Sequence, residues 1–429
     1  MHQIDAFSAT NDSESDVSNK QEVLKIQQRL NPYDWLIKSS DIQLVKKIGT
    51  GAFGNVFYGK LRGTTEIAIK VANPLSLSSG KNDPQIIEEF SRELSIWSSL
   101  KHPNIVLFIG ACIDPANSSI MIVSEFMQNG TLNDAFRNKK IVLDWNTKMR
   151  ICLQVSSAMT YLHSRSPPLL HRDLKGANIL LSREMVAKVG DFGLSKIMSK
   201  EGEIATQTIA GTPYWMSPEV IRGERYGTAA DVYSFAIILW QILTEKPNPY
   251  EEDVFRVQFK VVQGMRPEIP SNIEDIVNYQ LNTAEKERRI QNAAIENELK
   301  TFNNKGSSSS RKKASKLNSN NSSILSNSIT NLDSINSSNP SNSTTISSIT
   351  IEAADEEDFN IKLIDDTDEN EGRNNKRKQL DQRNGIESDE MKEKVIGFIE
   401  LMKQSWDSDP TQRPSFIEIG RRLDELFFK

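Results

Sequence analysis

The chain has 429 residues, a formal net charge of −5 and two cysteines. So small a net charge does not suggest nucleic acid or an anionic membrane surface as the main partner, and no apolar run approaches the roughly 18 residues of a membrane span. Cys112 and Cys152 lie far apart in apolar stretches, so they read as buried small hydrophobes of an intracellular protein, not as a disulfide or metal pair. The opening MHQIDAFSATNDSES has no apolar core and carries His at position 2. Neither a secretory signal nor a myristoylation pattern is expected from it.

In chain order, residues 1–40 read as an N-terminal extension: polar to about 20, then a short helix over EVLKIQQRL and an extended lead-in over NPYDWLI. From 41 the texture changes. IQLVKKIGTGAFGNVFYGKLRGTTEIAIKVA predicts three strands separated by Gly-rich turns. DPQIIEEFSRELSIWSSL has helical spacing, with Ile86, Phe90, Leu94 and Trp97 on one side. Strand patterns return at IVLFIGACI and SIMIVSEF. After NGTL the pattern is mainly helical, over WNTKMRICLQVSSAMTYLHS and AADVYSFAIILWQILT. A small β-rich part therefore precedes a larger α-rich part, an α+β arrangement.

Between 275 and 392 the composition shifts. NTAEKERRIQNAAIENELK suits an exposed helix. A run almost wholly of Ser, Asn and Thr follows, then the acidic EAADEEDFNIKLIDDTDENE and the basic GRNNKRKQ. Such a composition buries too little apolar surface to offset chain entropy, so 302–390 is expected to be disordered. Globular texture resumes at EKVIGFIELMKQSWDSDPTQRPSFIEIGRRLDELF. The 275–392 segment is thus a low-complexity insert looped out of a domain. Closure entropy rises only logarithmically with loop length, so such an insert is tolerated. It is a possible docking site for partners. Its SRKKAS and NKRKQ clusters read as solvated charge ahead of nuclear-import or phosphorylation signals.

Three motifs carry chemistry. In IGTGAFGNV, Gly49, Gly51 and Gly54 sit at a strand–turn–strand, where amides can approach phosphate oxygens without a Cβ in the way. A dinucleotide site would need a helix directly after them, and NVFYGKL is strand-like. A plain hairpin turn remains the alternative. Lys70 in EIAIKV is either an edge lysine or a cation aimed at phosphates and steadied by Glu93 of the next helix, itself otherwise a solvated helix residue. LLHRDLKGANILL packs His171, Arg172, Asp173, Lys175 and Asn178 between apolar runs, and DFG begins thirteen residues after Asn178.

The ordered set of Gly-rich loop, AIK, helix Glu, HRDLKGAN, DFG, SPE, DVYSF and QRPSF resembles a eukaryotic protein kinase over about 41–275 and 393–428. The resemblance implies a two-lobed kinase domain over 41–428, with an N-lobe at about 41–127 and a C-lobe at about 128–274 and 393–428. It implies ATP, Mg2+ (or Mn2+) and protein substrates with Ser/Thr hydroxyls as ligands, in an intracellular, mainly cytoplasmic setting with nuclear access open. Asp173 would orient the substrate hydroxyl and accept its proton. Lys175 would offset phosphoryl charge, and Lys70, paired with Glu93, would hold phosphates. Asn178 and Asp191 would hold the metal. Ile48, Gly49, Thr50, Gly51, Ala52, Phe53, Gly54, Asn55 and Val56 would line the nucleotide site. Val56, Ala68 and Leu180 would sandwich adenine, and Glu125 to Met127 would form its hinge behind Ser124.

By the same resemblance His171, Phe192, Phe108 and Trp97 stack as a spine, with Trp bulkier than the usual residue. Leu174 and Ile179 would lie in the C-lobe core. Arg172 would meet a phosphate on Thr206 or Thr208, with Ser195 and Ser199 as further candidates, unless the loop is ordered without modification. Asp231 would brace the catalytic loop, and Glu219 and Arg413 would pair across the insert. SPE for APE and Ala236 for Gly are departures that touch neither phosphate nor metal. Lys175 and Thr212 look Ser/Thr-specific. KHPNIVLFIGAC, DVYSFAIILWQI and MKQSWDSDPTQRPSF resemble the tyrosine-kinase-like group with its Raf and mixed-lineage members. Dual specificity and a pseudokinase scaffold are the alternatives, although Lys70, Asp173 and Asp191 are all present.

Overall fold

The computed structural model describes residues 35–51, 54–72, 94–114, 119–138, 141–192, 196–197, 211–304 and 387–428. Ala52, Phe53, Glu93, Ser195, Ser199, Thr206 and Thr208 lie outside them, as do most of the helix expected before residue 100 and the insert from 305 to 386.

The three strands expected first are present as β1 (Ile42–Gly51), β2 (Gly54–Leu61) and β3 (Thr65–Ala72). With β4 (Phe108–Asp114) and β5 (Ser119–Glu125) they form one antiparallel sheet in the order β1-β2-β3-β5-β4. Side-chain alternation decides its two faces. On β3, Ile67 and Ile69 are fully buried and join Cys112, Met121 and Val123 in one apolar cluster, while Ala68 and Lys70 project from the opposite side. Burial pushes the Cys112 thiol up to about 11, and Cys152 is also free and buried, which fits two small hydrophobes. Residues 94–99 form the described part of α1.

The helical lobe starts with α2 (Leu132–Arg137), closed at its N-terminus by a Thr131/Asp134 capping box. In α3 (Trp145–His163) Asp144 caps the first turn by accepting from Thr147 N at 2.8 Å. Short pairs β6 (Leu169–Leu170), β7 (Ile179–Leu181), β8 (Ala187–Val189) and β9 (Lys196–Ile197) follow, and then α4 (Pro218–Ile221). Every residue from Ala230 to Leu243 of α5 (Ala229–Thr244) is buried, as expected of a helix apolar on all sides. α6 (Val254–Val262) and α7 (Ile273–Asn304) come next. The packed core continues past residue 275, because Ile276, Val277 and Gln280 of α7 are buried.

The chain beyond 387 completes this core. In α8 (387–405) Val395, Phe398, Leu401 and Met402 are buried, and the Phe398 ring meets Trp145 of α3 at 5.6 Å. α9 (Phe416–Phe428) closes on α3, where Ser156 Oγ donates to Phe416 O at 3.0 Å and the His163 ring meets Phe416 at 5.1 Å. The looped-out organisation requires such a return. Among the described residues no helix is long and apolar enough to cross a membrane.

Candidate active site

The polar run 171–178 lies between β6 and β7, and Asp231 of α5 fixes its entry. Asp231 accepts from the backbone N–H of His171 and of Arg172, each at 2.9 Å, and pairs with His163 Nε2 at 2.8 Å. Burial opposes ionisation of Asp231, but the hydrogen bond and charge of His163 outweigh it and hold the carboxyl below its ordinary value. Arg172 and Asp191 both adopt left-handed backbone, at φ +66° and +62°. That conformation is uncommon for non-glycine residues and persists where surrounding bonds over-determine it. Here they do: β7 pairs β8 in the register Ile179↔Val189, and Gly190 N donates to Asn178 O at 2.9 Å. His171 Nε2 faces Gly190 O at 3.1 Å, which leaves Nδ1 to accept from Asp173 N at 3.3 Å.

Asp173 gathers three partners. Its Oδ2 accepts from Lys175 Nζ at 2.7 Å and Asn178 Nδ2 at 3.0 Å, and its Oδ1 accepts from Thr212 Oγ1 at 2.6 Å. Lys175 Nζ also donates to Thr212 Oγ1 at 2.6 Å. Gly211 permits the approach of Thr212. It sits at φ +122°, and a Cβ there would stand 2.6 Å from Arg172 O. Asn178 uses its amide nitrogen on Asp173 O (2.7 Å) and Oδ2. Its carbonyl oxygen takes no part in those bonds.

Lys70 on β3 reaches Asp191, with Nζ 3.0 Å from Oδ1. Burial works against the charge on Asp191, but the adjacent Lys70 overcomes it and holds the carboxyl below the usual range. Glu93, the expected partner of Lys70, lies outside the described residues, so Asp191 is the counter-ion on view. Of the glycine-rich segment, Ile48, Gly49, Thr50, Gly51, Gly54, Asn55 and Val56 form the β1–β2 hairpin, with Gly51 opposite Gly54 and Val56 opposite Lys70 on β3. Ala68 sits opposite Ser124. Leu180 bridges Thr131 and is half-buried, and Met127 is buried at the turn whose Gly130 N donates to Met127 O at 3.1 Å.

The Glu125 side chain is tied down in a way the sequence does not disclose. Its Oε1 accepts from Leu107 N at 2.7 Å, and both oxygens take Lys188 Nζ at 2.7 and 2.8 Å. Lys188 reads in sequence as an ordinary half-exposed strand lysine; no spacing signal flags it.

The four aromatic residues expected to stack do meet. Phe108 and Trp97 ring centroids are 5.6 Å apart, Trp97 and Phe192 6.0 Å, Phe192 and His171 5.3 Å. The larger indole is accommodated because its Nε1 donates to Val106 O at 2.8 Å. Glu219 and Arg413 are also brought together, in a two-pronged pair at 2.7 and 2.9 Å.

Comparison with known proteins agrees with this geometry. Residues 42–299 match the model of the family described as protein tyrosine and serine/threonine kinase. A protein of Acanthamoeba polyphaga mimivirus, named as a serine/threonine-protein kinase/receptor, is 41% identical over 238 residues, which is 56% of this chain and 14% of that relative. Two Dictyostelium discoideum proteins named as probable serine/threonine-protein kinases, drkA and drkB, are 38% and 39% identical over 55% and 54% of this chain. The chain spans 36% and 32% of their lengths. With the family model covering more than half of the chain and a five-stranded sheet preceding the helical part, the chain belongs to the protein tyrosine and serine/threonine kinase family.

Proposed function

We propose that this chain transfers the γ-phosphoryl group of ATP to Ser and Thr hydroxyls of protein substrates. The observation that carries the reading is the Asp173–Lys175–Thr212 triangle, set beside the Lys70–Asp191 pair. In this reaction the substrate oxygen bonds to the γ-phosphorus, the bond to the β–γ bridging oxygen breaks, ADP leaves, and the hydroxyl proton passes to Asp173. Lys175 lies where it offsets charge on the transferring group, and Thr212 holds both side chains in register. Lys70 supplies a cation to the nucleotide phosphates.

The oxygen donors suit a hard divalent cation. Lys70 holds the Asp191 carboxyl below the usual range against the effect of burial, and Asn178 keeps its carbonyl oxygen outside its bonds to Asp173. One carboxylate and one carboxamide suit Mg2+ shared with substrate phosphates better than an all-protein cage. When bound, the ion would neutralise phosphate charge.

The test is a peptide-library phosphorylation assay on wild type and Asp173→Asn, followed by phosphoamino-acid analysis. Wild type should yield phosphoserine and phosphothreonine. Asp173→Asn should lose about 10²–10⁴-fold in rate, as removal of a general base does, while ATP affinity stays within about twofold. An unchanged rate removes Asp173 from the chemistry. Predominant phosphotyrosine overturns the hydroxyl class.

A further inference from the structure

The sheet face that carries Lys70 and Ala68 continues past the residues expected to touch ATP. Side chains alternate along a strand, so Glu66 shares that face on β3, and Tyr58 shares the face of Val56 on β2. Tyr58 lies opposite Ala68 in register, which makes Glu66 its diagonal neighbour. The two side chains meet, with Tyr58 Oη donating to Glu66 Oε1 at 2.8 Å. This hydrogen bond, followed by one from Gln128, holds the Glu66 carboxyl below its ordinary value.

The second oxygen of Glu66 turns to the segment that follows β5. Gln128 Nε2 donates to Glu66 Oε2 at 3.4 Å, and the Tyr58 and Phe126 ring centroids lie 4.7 Å apart with planes at 57°. On its other side the Gln128 carboxamide oxygen accepts from Arg183 N, in the turn between β7 and β8, at 3.2 Å. Asn129 Nδ2 secures the same turn through Ser182 O at 2.7 Å and Arg183 O at 3.2 Å. Residues 125–129 are thus held side chain by side chain. Glu125 is tied to Leu107 N and Lys188, Met127 is buried, and Phe126 and Gln128 are held from the sheet by Tyr58 and Glu66. Backbone groups bind a flat base best when they are fixed in advance, because no ordering cost remains to be met on binding.

We infer that Glu66 is a positioning residue for the adenine hinge. Together with Tyr58 it grips Phe126 and Gln128 from the sheet and so holds the 125–127 backbone for the base. The inference rests on the proposed kinase reading and adds to that site a residue outside its sequence motifs. Removing Glu66 should weaken binding at the adenine end of the nucleotide alone. Lys70 and Asp191, proposed for the phosphates and the metal, keep their own 3.0 Å pair.

The test titrates the full chain with ATP, adenosine and inorganic tripolyphosphate, beside steady-state kinetics. The variants are Glu66→Ala, Glu66→Gln, Gln128→Ala and the double variant of Glu66→Ala with Gln128→Ala. Both positions are exposed, so these chains should fold. Glu66→Ala should raise Kd for ATP and for adenosine alike, about threefold, the scale of exposed hydrogen bonds. Tripolyphosphate affinity and kcat should stay within about 1.5-fold. Glu66→Gln still offers Tyr58 an oxygen and should recover about half of the loss. Gln128→Ala should weaken both adenine ligands about twofold, and the double variant should fall short of the product of the two single effects. Unchanged adenosine and ATP affinity in Glu66→Ala, an equal loss for tripolyphosphate, or full multiplication in the double variant overturns the inference. A wild type that binds ATP but transfers no phosphate sinks the kinase reading instead, and the binding series still decides the role of Glu66.

Discussion

Among the described residues of the helical lobe, Arg413 and Lys148 are cations buried from solvent, and they are held in opposite ways. Arg413 has four of its five guanidinium N–H donors partnered: two parallel bonds to Glu219, one from Nη1 to Ala229 O at 2.9 Å and one from Nε to Asp407 O at 2.8 Å, with the Tyr233 ring 5.2 Å from its centre. Lys148 of α3 is 1% exposed. It approaches Glu245 Oε1 to 2.6 Å, yet that oxygen has no hydrogen bond of good geometry, and the lysine's one directed bond goes to Gln280 Oε1 at 3.2 Å. A planar fork of five donors can be saturated inside a protein, whereas a point charge on a flexible stem is harder to satisfy. Burial accordingly pulls the Lys148 ammonium below the usual lysine range, although Glu245 opposes the shift. The first site is a finished anchor. The second is a charge that the fold tolerates.

The largest effect should therefore come from Arg413→Ala. It leaves the Glu219 carboxylate buried, 3% exposed, without its counter-ion. Breaking a sealed pair in this way costs about 3–5 kcal/mol. Urea unfolding should show the midpoint falling with an unchanged slope. A loss below about 1 kcal/mol, the range of exposed pairs, would erase the distinction between the two sites.

The two sites also differ in how far they can be read from sequence. Arg413 stands in QRPSF and Glu219 in SPE, motifs whose pairing the family resemblance implies across 194 residues. The catalytic residues are legible for the same reason, because their types and spacing are set by phosphate and proton chemistry. Strand β3 and the helices α3 and α5 are legible because each buries an apolar pattern, whereas β1, with Leu44, Val45 and Ile48 exposed, is legible from its strand-forming residues next to Gly-rich turns. Lys148 is not. In WNTKMRICLQV it looks like a polar helix position, and its partner Gln280 is 132 residues away. In sequence, residue 275 looks like a boundary because polar residues dominate the composition of α7, whereas Ile276, Val277 and Gln280 are buried.

A smaller effect sharpens the contrast from the acidic side of the second site. Glu245→Gln removes the carboxylate that touches Lys148 and should cost about 2 kcal/mol, less than a sealed pair because the ammonium can shed its proton. Glu245 itself is a quarter exposed and also accepts from Tyr279 OH at 3.0 Å, so it stays solvated when its cation is removed. Lys148→Met should therefore stay within about 1 kcal/mol of wild type at pH 7. The order Glu245→Gln worse than Lys148→Met, in the same urea assay, is the check. The reverse order would make the lysine a net stabiliser like Arg413.

The smallest signal is a slope against pH, and its sign separates the sites again. Glu219 is held below its ordinary value: burial opposes the charge, but the bonds and charge of Arg413 prevail. Its stabilisation is complete above the unfolded value of about 4.3 and is lost as pH falls through the folded value. Lys148 behaves oppositely to a stabilising cation. Its folded value lies below the unfolded value of about 10.4, so between the two the unfolded chain binds the proton and the folded chain does not. Wild-type stability should rise with pH across that window relative to Lys148→Met, which removes this slope and leaves the acid limb in place. Arg413→Ala should do the converse, flattening the acid limb around pH 4 and sparing the alkaline one. Unfolding midpoints measured across both limbs decide the matter, and a wild-type slope equal to that of Lys148→Met at alkaline pH would show that the buried ammonium is as well satisfied as the guanidinium.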